Sequence, residues 1–453
     1  MAPAVARERA PVAPARRCAH AVLRRVFERG AYADEALRAE ARELQPRDRA
    51  LAMRLAFGAV QRRDTLDHLV GRFSERPPGR LDGPVIASLR LGLYELLYLA
   101  GAPDRAVVAD AVELAKGHGR GGHGLVNAVL RRAIREDAAG LLERLPEDTP
   151  ARAALRHSHP QWLAELWWEQ LGAAQARRLM AADNEPGELA LRANTLVTDV
   201  AGLARELTVS TRRDPFIPEA LVAERAFDLH ASPCWRAGAV VAQSRASMLV
   251  ARVLAPQPDE RVLDLCAAPG AKTTHLAALM EGRGELLAVE RDRRRAGVLA
   301  RNAARLGASN VRVELADAER AELLEGTFDR VLVDPPCSGL GTLQAHPDLR
   351  WRIGPADLPR LAGLQGRILD AGASVLRPGG VLVYSTCTIS PLENERLIAS
   401  FLDSHPGFAV DELAPELAAF GRASAGGPGE HCVLTLPHRD RTSGFFIARL
   451  RRG

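Results

Sequence analysis

The chain has 453 residues, of which 47% are hydrophobic and 26% charged. This composition excludes a disordered, fibrous or collagen-like polymer and predicts about two to four domains. No uncharged apolar stretch approaches the roughly 18–20 residues needed to span a bilayer, so a soluble protein is predicted. The net charge of +5 is uneven: residues 1–136 carry 24 Lys and Arg against 16 Asp and Glu, leaving 37 against 40 in the remainder. A basic module joined to a near-neutral body favours binding of a polyanion.

An all-helical module is predicted from residue 16 to residue 136. Five segments place apolar residues at helical intervals: 18–27, 49–60, 86–98, 106–116 and 125–132. A Gly/His-rich loop is expected at 117–124. An acidic, proline-containing linker at 136–150 is expected to end the module.

A small α+β insert is predicted next. Its expected elements are helical residues 160–185, a strand at 188–194, a helix at 199–207 and further strands. Trp162, Trp167 and Trp168 cluster in the helical part. Tryptophans can stack on bases, but at helical spacing they more often seal a core or a domain interface.

From about residue 238 strands and helices alternate, the pattern of a parallel, doubly wound sheet. The expected strands are 261–266, 285–290, 311–315, 328–334 and 380–385. The expected helices are 273–280, 293–306, 318–324 and 359–376. A surface loop at 425–429 and a late strand near the sheet edge at 444–450 complete the region.

The first of these strands runs into a loop of small residues that opens a helix. The loop is a candidate cofactor site, and its residues are Cys266, Ala267, Ala268, Pro269, Gly270, Ala271 and Lys272. Small side chains let a ligand approach the backbone and the helix N-terminus. Neither the Gly-x-Gly-x-x-Gly pattern nor a Walker lysine spacing is present, which weakens the dinucleotide and NTPase interpretations.

Acidic residues follow three successive strands. Glu290 ends the second strand, Asp317 lies just past the third, and Asp334 ends the fourth. Ligands of open α/β sheets bind at the carboxyl ends of strands. One such acid alone is more often a cap or a solvated loop residue. Together with the loop, the three acids suit ribose hydroxyls and an adenine edge, so S-adenosylmethionine is the predicted cofactor.

The six cysteines show no C-x-x-C pair and no zinc-type spacing, which argues against a metal site or a disulfide framework and favours a reducing cytoplasm. A lone cysteine is usually a small buried hydrophobe. Cys337 and Cys387 differ, because they follow the fourth and fifth strands and should emerge together beside an acid. Lys272 is one of only two lysines among 61 basic residues, which marks it as a candidate for work that arginine cannot do.

These residues carry a resemblance to a known family. The segments 263–272, 334–339 and 385–387 are similar to signature motifs of the Nol/Nop/Sun family of RNA cytosine-5 methyltransferases. Support comes from 241–247, 346–348 with Trp351, 393–395 and the ending at 444–446. The helical module, at 91–98, 111–116 and 126–131, resembles the NusB-like RNA-binding domain. Ala271 stands where the family commonly has a second glycine, and Glu290 where aspartate is frequent.

The resemblance implies a multidomain architecture and a substrate. An all-α NusB-like N-terminal domain (1–140) would precede a small α+β insert (150–237) and a C-terminal α/β Rossmann-like class I methyltransferase domain (238–453). This is the layout of the bacterial small-subunit rRNA methyltransferases of the family, so 16S rRNA is the implied substrate.

The resemblance also implies roles for four residues. Cys387 would attack C6 of cytosine, and Cys337 would serve the elimination that releases it. Asp334 would hold the base edge, and Lys272 would place a compact positive charge in the pocket. The target base must leave any stack, so a single-stranded or loop cytidine is expected.

Other functions remain open from the residues alone. An exocyclic-amine methyltransferase would carry an aromatic residue in place of Cys337, and a DNA cytosine-5 enzyme would carry its nucleophile after the fourth strand. A tRNA cytidine is an alternative substrate. A non-catalytic RNA-binding assembly factor that keeps a methyltransferase fold is the alternative of another class. The target nucleotide and the oligomeric state are not determined by the sequence.

Overall fold

The computed structural model describes residues 12–116, 121–413, 420–421 and 431–453. The predicted loop at 117–124 lies partly outside these residues, and the one at 425–429 lies wholly outside them. The described chain divides into two compact units, Met1–Asn184 with His346–Arg352, and Glu185–Ala345 with Ile353–Gly453. The predicted domain boundaries at 140, 150 and 237 remain a proposal. No helix within the described ranges is long and apolar enough to cross a membrane.

The first unit is helical. Its elements are α1 (Pro14–Arg29), α2 (Ala33–Glu40), α3 (Pro46–Gln61), α4 (Arg63–Ser74), a 3-10 turn (Pro78–Arg80), α5 (Gly83–Tyr98), α6 (Asp104–Lys116), α7 (His123–Arg135), α8 (Ala138–Glu143), α9 (Pro150–His157), α10 (Gln161–Leu171) and α11 (Ala173–Ala182). All five helices predicted in 18–132 are confirmed. Gly58 of α3 lets α5 approach closely, because a Cβ there would lie 1.9 Å from Cζ of Tyr94. Trp167 is completely buried, as a core residue should be.

The predicted linker at 136–150 is only partly irregular. Helix α8 lies within it, because the side chain of Asp137 accepts a hydrogen bond from the backbone N–H of Gly140 at 3.1 Å and so caps the helix. Ala138 is buried against the core of the first unit. A short capped helix of this kind leaves little periodic signal in the sequence.

The second unit begins with a small antiparallel sheet. Its elements are β1 (Ala190–Ala193), α12 (Val200–Glu206), β2 (Thr211–Arg213), β3 (Ala220–Ala223), α13 (Pro233–Arg236) and β4 (Val240–Ala242). The strand order is β2-β3-β1-β4. The predicted strand at 188–194 and helix at 199–207 are therefore confirmed within a few residues. The side chain of Asp199 caps α12 by accepting from Gly202 N at 2.6 Å.

An eight-stranded sheet forms the body of the second unit. Its elements are α14 (Arg245–Leu254), β5 (Arg261–Asp264), α15 (Ala271–Leu279), β6 (Glu285–Val289), α16 (Arg293–Arg305), β7 (Val311–Glu314), a 3-10 helix (Ala318–Leu323), β8 (Phe328–Val333), α17 (Leu349–Arg352, within the first unit), α18 (Asp357–Ser374), β9 (Leu376–Thr386), α19 (Glu395–Ser404), β10 (Phe408–Val410), β11 (Val433–Thr435), α20 (Pro437–Asp440) and β12 (Phe445–Arg452). The order is β10-β12-β9-β8-β5-β6-β7, and β11 pairs with β12.

The sheet is mixed rather than purely parallel. Strands β9, β8, β5, β6 and β7 pair in parallel, as the alternating pattern predicted. Strand β12 pairs antiparallel with β9, which places it next to the edge strand β10. The inner parallel strands are rich in buried apolar residues because helices cover both of their faces. The edge strand β7 instead alternates Val with Arg and Glu. On β8, Leu332 belongs to the core with α14 and α15, whereas Val331 and Val333 face Gly372 of α18.

A short segment, His346–Arg352, belongs to the first unit although its chain neighbours on both sides belong to the second. Arg350 is fully buried and donates to the Oδ1 atom of Asn184 at 3.0 Å and to the carbonyl oxygens of Ser158 and Asp183 at 3.0 and 3.2 Å. Trp351 donates its indole N–H to the carbonyl oxygen of Val60 at 2.7 Å. The segment is therefore held by directional bonds as well as by packing.

Candidate active site

Two cysteines meet at the carboxyl edge of the parallel strands. Val333 at the end of β8 is in register with Tyr384 of β9, so the chain leaves both strands at the same edge. Cys337 follows β8 and Cys387 follows β9, and their Sγ atoms lie 3.3 Å apart. The predicted juxtaposition of these two thiols is confirmed.

The two thiols are not equivalent. The hydrogen bond from Cys337 lowers the pKa of Cys387, against the opposing effect of burial, and the charge of Lys272 acts in the same direction as that bond. The same hydrogen bond, together with burial, raises the pKa of Cys337 well above its ordinary value. These opposite directions favour Cys387 as the thiolate of the pair and Cys337 as its protonated donor.

An ion pair lies beside the thiols. Lys272, in the first turn of α15, donates from Nζ to Oδ2 of Asp334 at 2.7 Å. Ser385 donates its hydroxyl to Oδ1 of Asp334, also at 2.7 Å, so both carboxylate oxygens are oriented. Burial disfavours the ammonium, but pairing with Asp334 outweighs it and raises the pKa of Lys272. The pocket therefore holds a charged lysine whose orientation is determined by one carboxylate.

The candidate cofactor loop joins β5 to α15. Gly270 has φ of 105°, a left-handed conformation that favours glycine, and a Cβ there would lie 2.7 Å from Leu299. Two hydrogen bonds from α16 hold the loop. Arg295 donates to the carbonyl oxygen of Ala268 at 2.9 Å, and Asn302 donates to that of Pro269 at 2.8 Å. Burial raises the pKa of the Cys266 thiol, which supports a packing position rather than a nucleophile.

The three predicted acids have different surroundings. Glu290 is buried at the end of β6, where it accepts from the backbone N–H of Asp292 at 2.9 Å and lies 3.5 Å from Arg295. Asp317 is exposed and accepts from the backbone N–H of Glu319 at 3.1 Å, which caps the short 3-10 helix. Capping does not occupy the whole carboxylate, so a role of Asp317 toward an adenine edge remains a proposal.

Sequence reasoning missed Asp264 at the end of β5. Its Oδ2 atom accepts from the hydroxyl of Thr273 at 2.7 Å, and its Oδ1 atom has no hydrogen-bond partner among the described residues. Burial raises the pKa of this carboxyl to about 7. The available signal was an acid at the end of an otherwise apolar strand.

The polar groups at this edge fit a nucleoside that carries a charged amino-acid part. The buried carboxyl of Glu290 suits ribose hydroxyls, the unpartnered oxygen of Asp264 suits a donor group, and the N-terminus of α15 suits a carboxylate. No group of three or more His, Cys, Asp or Glu side chains that could hold a metal ion is present in the part of the chain that the structure describes.

Comparison with known proteins gives consistent results. Residues 251–451 match the family described as 16S rRNA methyltransferase RsmB/F, residues 13–135 the NusB family, and residues 159–230 the ferredoxin-like domain of RsmF/B-like methyltransferases. The chain is 36% identical to a probable ribosomal RNA small subunit methyltransferase B of Synechocystis sp., over 97% of this chain and 99% of the relative. It is 35% identical to the corresponding protein of Bacillus subtilis, over 90% and 92%.

A solved structure shares the fold. The crystal structure of NSun6 from Pyrococcus horikoshii with SFG superposes with a TM-score of 0.59 and 26% identity, and the match covers 65% of this chain and 98% of that one. The described second unit and the matched families therefore agree on a methyltransferase fold.

Proposed function

Because this chain belongs to the ribosomal RNA small subunit methyltransferase B family, we propose that it methylates C5 of a cytidine in 16S rRNA, with S-adenosylmethionine as the methyl donor. The observation that carries the C5 chemistry is the pair of thiols 3.3 Å apart, one with a lowered pKa and one with a raised pKa. Exocyclic-amine methylation needs neither thiol.

Cys387 is the proposed nucleophile. Cytosine C5 is a poor nucleophile until another group adds to C6, and a thiolate adds well near neutral pH once its pKa is lowered. The hydrogen bond from Cys337 supplies that lowering, and the charge of Lys272 acts in the same direction against the opposing charge of Asp334. Attack forms a bond between Sγ of Cys387 and C6 and makes C5 electron-rich.

Asp334 and Lys272 are proposed to orient the base. Asp334 would accept from the exocyclic amine of the cytosine and, once N3 is protonated in the adduct, from N3–H, since Ser385 and Lys272 already fix the plane of its carboxylate. Lys272 pairs with that carboxylate and would help to balance negative charge as the adduct forms. A bulkier guanidinium at this position would occupy space that the base needs.

The proposed cofactor residues surround the same edge. Cys266, Ala267, Ala268, Pro269, Gly270, Ala271 and Lys272 would line it, with Glu290 toward the ribose, Asp317 toward the adenine and Asp334 toward the reacting end. S-adenosylmethionine supplies an electrophilic methyl group when bound. The similarity to a structure solved with SFG, an analogue of that cofactor, supports this assignment.

Cys337 is proposed to assist release. Once C5 carries the methyl group, a base such as water would take the C5 proton, and the electrons of that C–H bond would re-form the C5–C6 double bond. The bond between Sγ of Cys387 and C6 would then break, and Cys387 would leave as a thiolate. The protonated thiol of Cys337 is within hydrogen-bonding distance of that sulfur. Donation from Cys337 would stabilise the departing thiolate.

The first unit is proposed to supply RNA affinity. The region matching the NusB family coincides with the basic part of the sequence, where residues 1–136 carry an excess of eight positive charges. Phosphate contacts of such a surface are sequence-independent and sensitive to salt. Specificity for the target cytidine would then come from the second unit, which would bind the extruded base.

Nucleoside analysis tests the proposed reaction. The full chain is incubated with unmodified 16S rRNA and S-adenosylmethionine carrying an isotopically labelled methyl group, and the RNA is then digested and analysed by mass spectrometry. The expected product is labelled 5-methylcytidine, and bisulfite sequencing locates it. Labelled N4-methylcytidine would contradict the C5 assignment, labelling of tRNA alone would contradict the substrate, and no labelled nucleoside would favour a non-catalytic assembly factor.

A further inference from the structure

We propose that Glu393 and Asn394 position the two reactive thiols, with Glu393 holding the loop of Cys337 and Asn394 holding the loop of Cys387. The two residues are adjacent in sequence, lie immediately before α19 and are completely buried. Their hydrogen bonds reach residues beside the cysteines and not the sulfur atoms, so they are positioning residues rather than catalytic ones. The inference rests on the proposed function of the cysteines.

Asn394 brackets Cys387 on both sides. Its Oδ1 atom accepts from the hydroxyl of Thr386 at 2.6 Å, and its Nδ2 atom donates to the carbonyl oxygen of Thr388 at 3.0 Å. These are the residues immediately before and after Cys387. One carboxamide therefore fixes the path of the chain through the nucleophile, and it uses both a donor and an acceptor to do so.

Glu393 holds the other loop. Its Oε1 atom accepts from the backbone N–H of Ser338 at 2.9 Å, and its Oε2 atom accepts from the hydroxyl of Ser338 at 2.6 Å. Gln365 of α18 donates to Oε1 of Glu393 at 3.0 Å and to the carbonyl oxygen of Pro336 at 3.0 Å. The residues before and after Cys337 are thus tied, directly or through Gln365, to one carboxylate.

The donors that Ser338 and Gln365 direct at the carboxyl group of Glu393 are all neutral. Removing a carboxylate from water is unfavourable unless hydrogen bonds replace those to water. Such bonds are directional, so they define where each donor must lie. The hydroxyls of Ser338 and Thr388 also lie 2.6 Å apart, which links the two loops directly.

The backbone joins the two halves of this arrangement. Tyr384 of β9 donates its hydroxyl to the carbonyl oxygen of Glu393 at 2.7 Å, which anchors the pair to the sheet. Since Glu393 and Asn394 share a peptide bond, the loops of Cys337 and Cys387 cannot move independently. The 3.3 Å separation of the sulfurs, and with it the hydrogen bond between them, follows from this pair of side chains.

Four variants of the full chain test the inference. Glu393→Gln places an amide N–H₂ against groups that donate, Asn394→Asp removes the donor to Thr388, and Ser338→Ala removes a single donor as a milder change. Glu395→Gln is the matched control, because it is the same substitution two residues away and Glu395 has no described bond to either cysteine loop. Misplacement of a reacting group by about 1 Å lowers turnover roughly a hundredfold. Such a loss is expected in the first two variants with little change in cofactor affinity, and a smaller loss in Ser338→Ala.

The reactivity of the Cys387 thiol distinguishes a loss of positioning from a loss of the Glu393 charge. Its measurement does not require methylation activity. The rate of alkylation of Cys387 by iodoacetamide is measured against pH, with peptide mass spectrometry to identify the modified residue. The charge of Glu393 itself opposes ionisation of Cys387, so loss of charge alone would shift the midpoint to lower pH. Loss of the hydrogen bond from Cys337 would shift it to higher pH.

The expected result is a midpoint at higher pH in Glu393→Gln, Asn394→Asp and, to a lesser extent, Ser338→Ala, with Glu395→Gln like the wild type. A midpoint that is unchanged or lower in all three, or shifted equally in Glu395→Gln, would overturn the inference. If the wild type makes no 5-methylcytidine, the proposed function fails, but the shift in thiol reactivity still decides whether the pair positions the sulfurs.

Discussion

Two regions each bury an acidic side chain: the carboxyl edge of the eight-stranded sheet, where the proposed active site lies, and the cluster around Arg350. At the edge, Glu393 accepts hydrogen bonds from the neutral donors Ser338 and Gln365. In the cluster, neither carboxylate oxygen of Asp183 accepts a hydrogen bond from the described residues, and the compensating charge comes from Arg350. Directional bonds determine positions, whereas a nearby charge mainly affects free energy. Changes at the edge should therefore alter reactivity, and changes in the cluster should alter stability and its pH dependence.

The largest effect is expected from Arg350→Met. Removal of the guanidinium leaves the buried carboxyl of Asp183 without its neighbouring positive charge. It also leaves four carbonyl or amide oxygens without this donor, those of Gln61, Ser158, Asp183 and Asn184. A loss of about 3–5 kcal/mol in the free energy of unfolding is expected. Tryptophan fluorescence during urea unfolding reports this, since Trp162, Trp167, Trp168 and Trp351 belong to the first unit. Arg360→Met, at an exposed ion pair, is the control and should cost less than about 1 kcal/mol. Equal losses in the two variants would mean that the buried cluster around Arg350 contributes no more to stability than an exposed ion pair does.

The next effect is catalytic and should leave stability nearly unchanged. Lys272→Arg keeps the positive charge beside Asp334 but replaces a compact ammonium by a planar group. Turnover is expected to fall roughly a hundredfold. The chain offers a matched control, because its other lysine, Lys116, is 43% exposed and pairs with Glu113. Lys116→Arg should behave like the wild type, and near-normal turnover in Lys272→Arg would show that the lysine is incidental.

A pH effect is expected from Asp183. Burial raises the pKa of this carboxyl to about 7, whereas an unfolded aspartate has a pKa of about 3.9. Between these values the folded chain binds the extra proton, so the contribution of Asp183 to stability falls as pH rises from about 4 to about 7. Asp183→Asn removes this contribution.

Unfolding experiments at several pH values measure it. The stability of Asp183→Asn relative to the wild type should grow between pH 5 and pH 8, by on the order of 1 kcal/mol or more. Asp148→Asn changes an exposed carboxylate in the same unit and should show no such growth. A difference between Asp183→Asn and the wild type that does not vary with pH would mean that the carboxyl keeps an ordinary pKa.

The smallest effect is expected on RNA affinity. Arg47, Arg49 and Arg54 are exposed on α3 of the first unit. Replacing all three by Gln should weaken binding of 16S rRNA fragments and lower the slope of log affinity against log salt by up to about 0.7–0.9 per lost phosphate contact. Cofactor affinity should not change. An unaltered slope would place the RNA-binding surface elsewhere.

Local patterns predicted much of the molecule. Periodicity gave the five helices in 18–132 and the five parallel strands, because each buries a regular stripe or a continuous apolar run. The meeting of Cys337 and Cys387 was predictable as well, since neighbouring parallel strands end at one edge. A late strand near the sheet edge was predicted as well, but its antiparallel pairing with β9, which makes the sheet mixed, was not.

Long-range contacts explain what could not be predicted. Helix α8 depends on a cap at Asp137 and on packing of Ala138 against distant helices. The assignment of His346–Arg352 to the first unit depends on partners more than 150 residues away in sequence, such as Asn184. The bonds of Glu393 to Ser338 and Gln365 are likewise formed only in the folded chain, so no spacing indicates them.

Trapping of an RNA adduct tests the division of labour between the thiols most directly. Cys337→Ala, Cys387→Ala, the double variant and the control Cys18→Ala, in the core of the first unit, are incubated with 16S rRNA and S-adenosylmethionine and run on a denaturing gel. Cys337→Ala should accumulate RNA bonded to Cys387, because release of the thiolate is impaired. Its adduct should form faster at higher pH, since the hydrogen bond that lowers the pKa of Cys387 is gone. Cys387→Ala and the double variant should form none, and Cys18→Ala should turn over without accumulation. An adduct in Cys387→Ala instead would reverse the roles, and activity without an adduct in both single variants would contradict the covalent mechanism.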